Sequence, residues 1–189
     1  MVGLIDREEW ITRQYFRDAG DRVLLLGPIG SEMGASHYLS VVHARKEGRP
    51  PRLNFDLELS VQRSLLDMIR RGYIKSAHDC SEGGLAVALA EACISGENRI
   101  GASIWIDDTG LRPDQVLFNE SQSRVVATVG NEHLAEVERV LAEAGTPFLW
   151  LGEVGGEVLS VAISDNPFEW GLADLHHSWY FSIERVMAW

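Results

Sequence analysis

The sequence predicts an α+β fold, in which a mixed β-sheet is packed with helices. Strand-like and helical apolar patterns follow one another without a strict strand-helix-strand rhythm, so a doubly wound parallel sheet fits less well. Two apolar runs, 147–154 and 158–163, flank the turn Gly155-Gly156 and predict an antiparallel hairpin. A length of 189 residues, with 46% hydrophobic and 24% charged content, is typical of one globular domain that can bury a core.

The N-terminal part of the chain predicts a strand and a helix between irregular segments. Residues 1–27 alternate short apolar runs with a polar insertion, and we interpret them as the tail of a preceding domain that ends in a crossover strand at 22–27. A helix is expected at 37–45, followed by a turn and linker at 47–52, where one glycine and two prolines lie close together. The main domain is therefore expected to span residues 28–189.

The middle of the chain predicts a helix, a strand and a second helix. From Leu59 onward, apolar residues recur at helical spacing as far as Ile69. Gly72 follows two arginines, as expected just beyond a helix C-terminus. Residues 73–77 predict a strand, and the alanine-rich run that begins at Leu85 predicts the next helix.

The second half of the chain predicts a further strand, a short helix, a strand and a longer helix. Asn131 is expected to cap the longer helix and Gly145 to end it. The tail at 167–189 is rich in aromatic residues and is expected to pack against the domain, with no assigned secondary structure. The predicted elements are the strand 101–106, the helix 112–118, the strand 124–129 and the helix 131–145.

Composition excludes several classes of function. The formal net charge is −11 and no long basic stripe is present, so nucleic acid is not an expected partner. No apolar run approaches the roughly 20 residues that a membrane span requires, and the N-terminus does not resemble a signal peptide. Two cysteines do not form a disulfide framework, so we predict a reducing, cytoplasmic setting. Cys93 is expected to be a buried small hydrophobe, and a zinc site is not expected.

The most informative segment is 78–84, His-Asp-Cys-Ser-Glu-Gly-Gly, which lies between a predicted strand and a predicted helix. Backbone N–H groups and the positive end of the helix dipole point outward at such a turn, where phosphate can bind. Asp79 offers a hard oxygen to Mg²⁺, Ser81 can cap the helix or donate to phosphate, and Gly83 and Gly84 allow close approach to the backbone. The same glycine-rich pattern is also common in purely structural turns.

Two motifs together resemble one known family. The segment 78–85 with the following Ala-Leu-Ala-Glu at 88–91 resembles a signature of the aminoimidazole ribonucleotide (AIR) synthetase superfamily. The segment 117–124, Leu-Phe-Asn-Glu-Ser-Gln-Ser-Arg, resembles the corresponding element of its phosphoribosylformylglycinamidine synthase branch. Within that branch the chain is similar to the second C-domain, with 1–5 similar to the last strand of the preceding N-domain.

The resemblance implies a domain of sheet and helices that closes onto an N-domain. It also implies an ATP-dependent synthetase that converts formylglycinamide ribonucleotide to the amidine, with ammonia from glutamine, in purine biosynthesis. The implied cofactors are Mg²⁺ and ATP, or a structural ADP. The implied partners are the N-domains of the same enzyme, a glutaminase subunit and a small bridging subunit. The chain by itself is expected to be inactive, because the family's other nucleotide and metal elements belong to the N-domain.

Carried over to this sequence, the first motif implies a nucleotide site. Asp79 would be a Mg²⁺ ligand, and Ser81, Gly83 and Gly84 would contact ATP or phosphate. His78 would either polarise a phosphate or pair with Asp79 and fix its rotamer. Two neighbouring acids are expected to be less specific: Glu82 complements the helix dipole, and Glu91 is a surface or structural acid.

The second motif leaves its alternatives open. Glu120, Ser121 and Gln122 would either face a substrate or second nucleotide, or form a loop that pins two domains together. Arg124 would either pair with Glu120 or touch phosphate. Asn119 stands where the family has a small residue, so a ligand is expected to approach this loop less closely.

The sequence is also compatible with two other hypotheses. The chain could be a C-domain of another superfamily member, such as AIR synthetase, selenophosphate synthetase, thiamine-monophosphate kinase or the hydrogenase-maturation dehydratase. It could also be a catalytically silent scaffold that holds ADP structurally or mediates assembly. The pair His176-His177 is expected to have a packing or surface role, because adjacent residues on a helix point about 100° apart and cannot readily share one metal ion.

Overall fold

The structure, a computed structural model, describes residues 3–107 and 109–187. These residues form one seven-stranded sheet in the order β2-β4-β1-β5-β3-β6-β7. Strands β3 and β6 are parallel and all other neighbours are antiparallel, so the predicted mixed sheet and α+β class are confirmed. The strands are β1 (Arg22–Leu26), β2 (Ile74–Asp79), β3 (Ala102–Ile106), β4 (Val125–Val129), β5 (Phe148–Val154), β6 (Val158–Ile163) and β7 (Asn166–Gly171).

Helices cover the sheet on two sides, and each side has its own core. Successive residues of a strand point to opposite faces of the sheet. All four residues after Arg22 in β1 are fully buried, so both faces of the sheet are covered there. Leu24 and Leu26 join the core beneath α2 and α5, whereas Val23 and Leu25 join the core beneath α3, α4 and α6. The helices are α1 (His37–His43), α2 (Phe55–Arg70), α3 (Gly84–Ile94), α4 (Pro113–Phe118), α5 (Leu134–Ala144), α6 (Leu172–Tyr180) and α7 (Ser182–Met187).

The predicted hairpin between β5 and β6 is wrong. The two runs are strands, but β3 lies between them and pairs with both. The Gly155-Gly156 turn is bonded to Gly101, just before β3: Gly155 N donates to Gly101 O at 2.8 Å, and Gly101 N donates to Gly156 O at 2.9 Å. A glycine turn indicates that the chain reverses, but a strand that enters from elsewhere can separate its two arms. The actual late hairpin joins β6 to β7.

Helix boundaries correct two further predictions. Helix α2 begins at Phe55, one turn before the predicted start, because the Asn54 side chain accepts from the backbone N–H groups of Asp56 and Leu57. Asn131 does not cap α5; it begins a short 3-10 turn, and its side chain donates to Gly20 O at 3.1 Å. Gly145 ends α5 in a left-handed conformation, as predicted.

The N-terminal segment packs onto this sheet. Strand β1 lies between β4 and β5 near the centre, and Phe16 is buried in the core below α3. Residues 3–5 are not in a strand, and residues 1 and 2 of the predicted strand 1–5 lie outside the described residues. That residues 1–27 continue from a preceding domain stays a prediction.

An ion pair holds this segment to β2. Lys75 Nζ donates to Asp21 Oδ1 at 2.7 Å and to Asp18 Oδ2 at 3.1 Å. Asp21 Oδ2 is buried and has no hydrogen-bond partner within residues 3–107 and 109–187. Burial raises the pKa of Asp21 although Lys75 acts against it, and the hydrogen bond to Asp21 raises the pKa of Lys75.

Lys75→Met is expected to lower the free energy of unfolding by about 2 kcal/mol at neutral pH, because the buried Asp21 carboxylate loses its cation. Because the pKa of Asp21 is raised in the fold, its protonated carboxyl stabilises the folded state below the unfolded-state pKa. This contribution is lost as the pH rises through the folded-state pKa. The destabilisation should therefore shrink as the pH falls and Asp21 takes up a proton. Urea unfolding across this pH range, with the exposed Lys46→Met as control, checks it; an equal loss at every pH would contradict it.

The aromatic tail packs against the domain, as predicted, through α6. Leu172 is buried in the core and Leu175 packs against it. His176 Nε2 accepts from Arg99 Nη2 at 3.2 Å, and the ring stacks on Tyr180, which agrees with the expected packing or surface role. Trp189 of the predicted tail lies outside the described residues. Every helix in the described part of the chain is too short or too polar to cross a membrane.

Candidate functional site

The first motif forms the turn between β2 and α3. Asp79 is the last residue of β2 and Gly84 is the first of α3. Gly83 and Gly84 have positive φ angles of 81° and 65°, which favour glycine. A Cβ on Gly84 would lie 2.3 Å from the carbonyl oxygen of Asn119, so glycine here also permits close packing between the start of α3 and the chain that follows α4.

A cleft of about 390 Å³ brings the two motifs together. It lies between α2, the turn after β2 and the loop that leads into β4. The first motif contributes Asp79, Ser81 and Glu82, and the second contributes Glu120 and Gln122. Residues 43 positions apart in sequence, such as Asp79 and Gln122, therefore line one concave surface. Other lining residues are Glu58, Val61, Gln62, Leu65, Cys80, Ser123, Arg124 and Val125.

Asp79 presents an accessible carboxylate to the cleft. Its side chain is 72% exposed, and Ser81 Oγ donates to its Oδ2 at 2.5 Å. Ser81 therefore orients Asp79 and does not cap α3, whose N-cap is Gly83. No group of three His, Cys, Asp or Glu side chains that could hold a metal ion occurs in the described ranges. Asp79 could thus supply one of the oxygens that Mg²⁺ needs, and the others would have to come from water, phosphate or another polypeptide segment.

The charge of the cleft is predominantly negative. Four carboxylates line it, and its one guanidinium, on Arg124, is buried and bonded to backbone carbonyls. A bare nucleotide phosphate would be repelled by such a surface, and a phosphate that carries Mg²⁺ would be repelled less because the cation neutralises part of its charge. The lining acids are Glu58, Asp79, Glu82 and Glu120.

Glu120 joins two helix starts. Its Oε1 accepts from the backbone N–H of Gly83 at 2.9 Å and from that of His37 at 2.9 Å, and its side chain is only 14% exposed. The carboxylate thus lies where an anion is favoured by both helix N-termini. Within this domain Glu120 therefore connects α1 and α3, while contact with substrate and the pinning of two domains both stay predictions.

The two residues that flank Glu120 anchor its loop through buried hydrogen bonds. Ser121 is buried, and its Oγ accepts from the backbone N–H groups of Ser31 and Glu32 at 3.2 and 3.1 Å. Asn119 is fully buried and its Nδ2 donates to the carbonyls of Gln115 and Ile29. Asn119 therefore points into the domain, and its size does not narrow the cleft.

Arg124 binds backbone carbonyls and is not ion-paired with Glu120, while its contact with phosphate stays a prediction. It is 2% exposed, and its guanidinium donates to the carbonyl oxygens of Ser121 at 2.9 Å, Ile29 at 2.8 Å and Asn119 at 2.6 Å. Burial lowers its pKa. The sequence shows a charged residue before a strand, but it does not show that unpaired carbonyls of a folded loop converge on it.

His78 pairs chiefly with Glu91, a residue that sequence reasoning treated as peripheral. His78 Nε2 lies 2.8 Å from Glu91 Oε2, whereas His78 Nδ1 lies 3.7 Å from Asp79 Oδ1. The predicted pairing with Asp79 is therefore the longer of two contacts. The sequence does indicate a polar contact for Glu91, because it is the one charged residue in the otherwise apolar α3, and an acid on a largely buried helix needs a polar partner.

Comparison with known proteins agrees with these motifs. Residues 18–163 match the family model described as AIR synthase related protein, C-terminal domain. The phosphoribosylformylglycinamidine synthase subunit PurL of Alkaliphilus metalliredigens is 39% identical over 188 residues, which are 99% of this chain and 25% of that protein. The chain thus spans about a quarter of the length of this relative.

Solved structures share the fold. Thermotoga maritima PurL complexed with FGAR superposes with a TM-score of 0.77 at 18% identity, over 90% of this chain and 30% of that one. The complex of the same protein with ATP gives a TM-score of 0.69 at 18% identity, over 90% and 28%. The family model matches most of this chain, and both motifs lie on one cleft. The chain therefore belongs to the family of AIR synthase related C-terminal domains.

Proposed function

We propose that this chain is the C-terminal domain of the synthetase subunit of phosphoribosylformylglycinamidine synthase and forms one wall of a Mg²⁺-nucleotide site. The observation that carries the proposal is the cleft that Asp79 and Ser81 line together with Gln122. Its negative lining favours a phosphate that arrives with a divalent cation. The synthase subunit that matches nearly the whole chain supports the same reading.

In the proposed reaction, ATP phosphorylates the amide oxygen of formylglycinamide ribonucleotide, which converts a poor leaving group into phosphate. Ammonia from glutamine then replaces that phosphate and gives the amidine. The protein mainly positions the groups and stabilises charge. When bound, Mg²⁺ would neutralise phosphate charge. Asp79 would supply a carboxylate ligand and Ser81 would fix its orientation, while Gly83 and Gly84 would let the nucleotide lie close to the backbone.

The loop of the second motif has a supporting role in this proposal. Glu120 keeps the starts of α1 and α3 together, and Ser121 holds the backbone at Ser31 and Glu32. Gln122, which lines the cleft, is the member of the motif best placed to meet a substrate or second nucleotide.

We further propose that the chain needs other polypeptide segments for activity. Asp79 alone cannot complete a Mg²⁺ site, so N-domains of the same enzyme would supply the remaining ligands. Residues 1–27 would connect to the preceding N-domain through β1. A glutaminase subunit and a small bridging subunit would deliver ammonia, in a cytoplasmic setting.

The proposal predicts that Asp79→Ala weakens binding of Mg²⁺-ADP by about tenfold, because one charged metal ligand is lost. Calorimetric titration of Mg²⁺-ADP and Mg²⁺-ATP into the full-length polypeptide that contains this domain measures the effect, with glutamine-dependent rates measured on the same samples. Asp165→Asn is the matched control, since Asp165 is an exposed acid in the turn between β6 and β7.

The outcomes separate two functions. Loss of both affinity and rate in Asp79→Ala supports a working nucleotide site. Loss of affinity with an unchanged rate would identify a structural ADP site in a scaffold domain. Unchanged affinity and rate would show that Asp79 is not a metal ligand.

A further inference from the structure

A chain of polar contacts links the cleft to the C-terminal helices. The imidazole of His78, whose side chain is 14% exposed, lies between two carboxylates: Nε2 is 2.8 Å from Glu91 Oε2, and Nδ1 is 3.7 Å from Asp79 Oδ1. The second oxygen of Glu91, Oε1, accepts from the indole Nε1 of Trp179 at 3.1 Å. Each member of the chain is thus in contact with the next, from Asp79 at the cleft to Trp179 on α6.

Each contact restricts a different degree of freedom. Glu91 lies on α3, a rigid helix whose other side is buried, so the position of its carboxylate is well defined. The indole donor takes one oxygen of Glu91 and leaves the other directed at His78. A ring held at Nε2 can turn little, and its Nδ1 therefore stays beside the carboxylate of Asp79.

We infer that Glu91 is a positioning residue for the nucleotide site: it holds the His78 ring beside Asp79, and Trp179 of α6 fixes Glu91 in turn. The inference rests on the proposed function. Partners of this kind, one step removed from a metal ligand, typically change metal affinity by about 10- to 100-fold when they are removed. Helix α6 contributes no residue to the lining of the cleft, so the inference gives it an indirect role at the site.

The test uses the full-length polypeptide and three variants. Glu91→Ala removes the contact with His78, Trp179→Phe removes only the indole donor, and Glu97→Gln changes an exposed acid just beyond α3 as the matched control. Long-range ¹H–¹⁵N spectra report which ring nitrogen of His78 carries the hydrogen. Calorimetry with Mg²⁺-ADP reports affinity, and thermal unfolding reports whether each variant is folded.

Glu91→Ala is expected to change the tautomer signals of His78 and to weaken Mg²⁺-ADP binding by about tenfold. Trp179→Phe should weaken binding in the same direction by less, and Glu97→Gln should leave all readouts unchanged. Glu91→Gln keeps one side-chain oxygen for His78 and loses the acceptor for the Trp179 indole, so an affinity close to that of Trp179→Phe would support positioning over charge.

Other outcomes overturn the inference. Unchanged His78 signals in Glu91→Ala would overturn the inference. Unchanged affinity in folded Glu91→Ala and Trp179→Phe would also overturn it, and in both cases the proposed function would stand. If the unsubstituted polypeptide does not bind Mg²⁺-ADP, the proposed function fails as well, and the contact has only a structural role. Should Glu91→Ala fail to fold, Trp179→Phe decides, because phenylalanine keeps the ring in place.

Discussion

Arg124→Lys is expected to lower the free energy of unfolding by about 3 kcal/mol. The guanidinium now donates to three carbonyl oxygens, of Ser121, Ile29 and Asn119, that converge from two segments of the chain. A lysine ammonium concentrates its donors at one point and cannot reach all three. It is also more strongly hydrated than a guanidinium, so its burial costs more. Urea unfolding followed by circular dichroism measures the loss.

Arg139→Lys is the matched control for this prediction. Arg139 forms an exposed pair with Glu143 on α5, at 3.1 Å, and its replacement should change the free energy of unfolding by less than about 0.5 kcal/mol. A loss for Arg124→Lys no larger than that of the control would show that the loop does not depend on the buried guanidinium. Arg124 would then be a candidate for ligand contact after all.

Gly84→Ala is expected to lower the free energy of unfolding by about 3 kcal/mol, because two effects add. The residue has a φ of 65°, which a side chain makes unfavourable by about 1 kcal/mol. The new methyl group would also lie 2.3 Å from the Asn119 carbonyl oxygen and 2.9 Å from that of Leu117. Since these are backbone atoms, α3 or the chain after α4 would have to move. Thermal and urea unfolding measure the change.

Gly72→Ala separates the two effects. Gly72 has a φ of 77°, but a Cβ there would meet nothing within 4 Å, so only the conformational cost of about 1 kcal/mol is expected. Equal losses in the two variants would show that the close approach at Gly84 is relieved by small shifts. A larger loss at Gly84 would show that the start of α3 is fixed by the segment before Glu120.

The sequence by itself predicted the elements that obey local rules. The strand at 22–27, the alanine-rich α3 and the helix end at Gly145 follow from apolar period and glycine conformation, which act within a few residues. The two motifs were also visible, as was a nucleotide site at the first of them as a hypothesis. The order of strands was not, because pairing depends on residues far apart: β3 enters between β5 and β6 and removes the hairpin that their spacing predicts.

Only the tertiary structure decided what the polar residues of the site contact. Glu120, Arg124 and His78 all had plausible ligand roles in the sequence, yet each is engaged by groups of the folded domain. Glu120 accepts from two helix starts, Arg124 donates to three loop carbonyls of which Ile29 O is distant in sequence, and His78 contacts Glu91. The physical reason is that a buried charge must find a partner, and the partner is set by which surfaces the fold brings together. The Asp79 carboxylate is exposed at the cleft, so composition and motif determined its chemistry and the fold determined that it remains available.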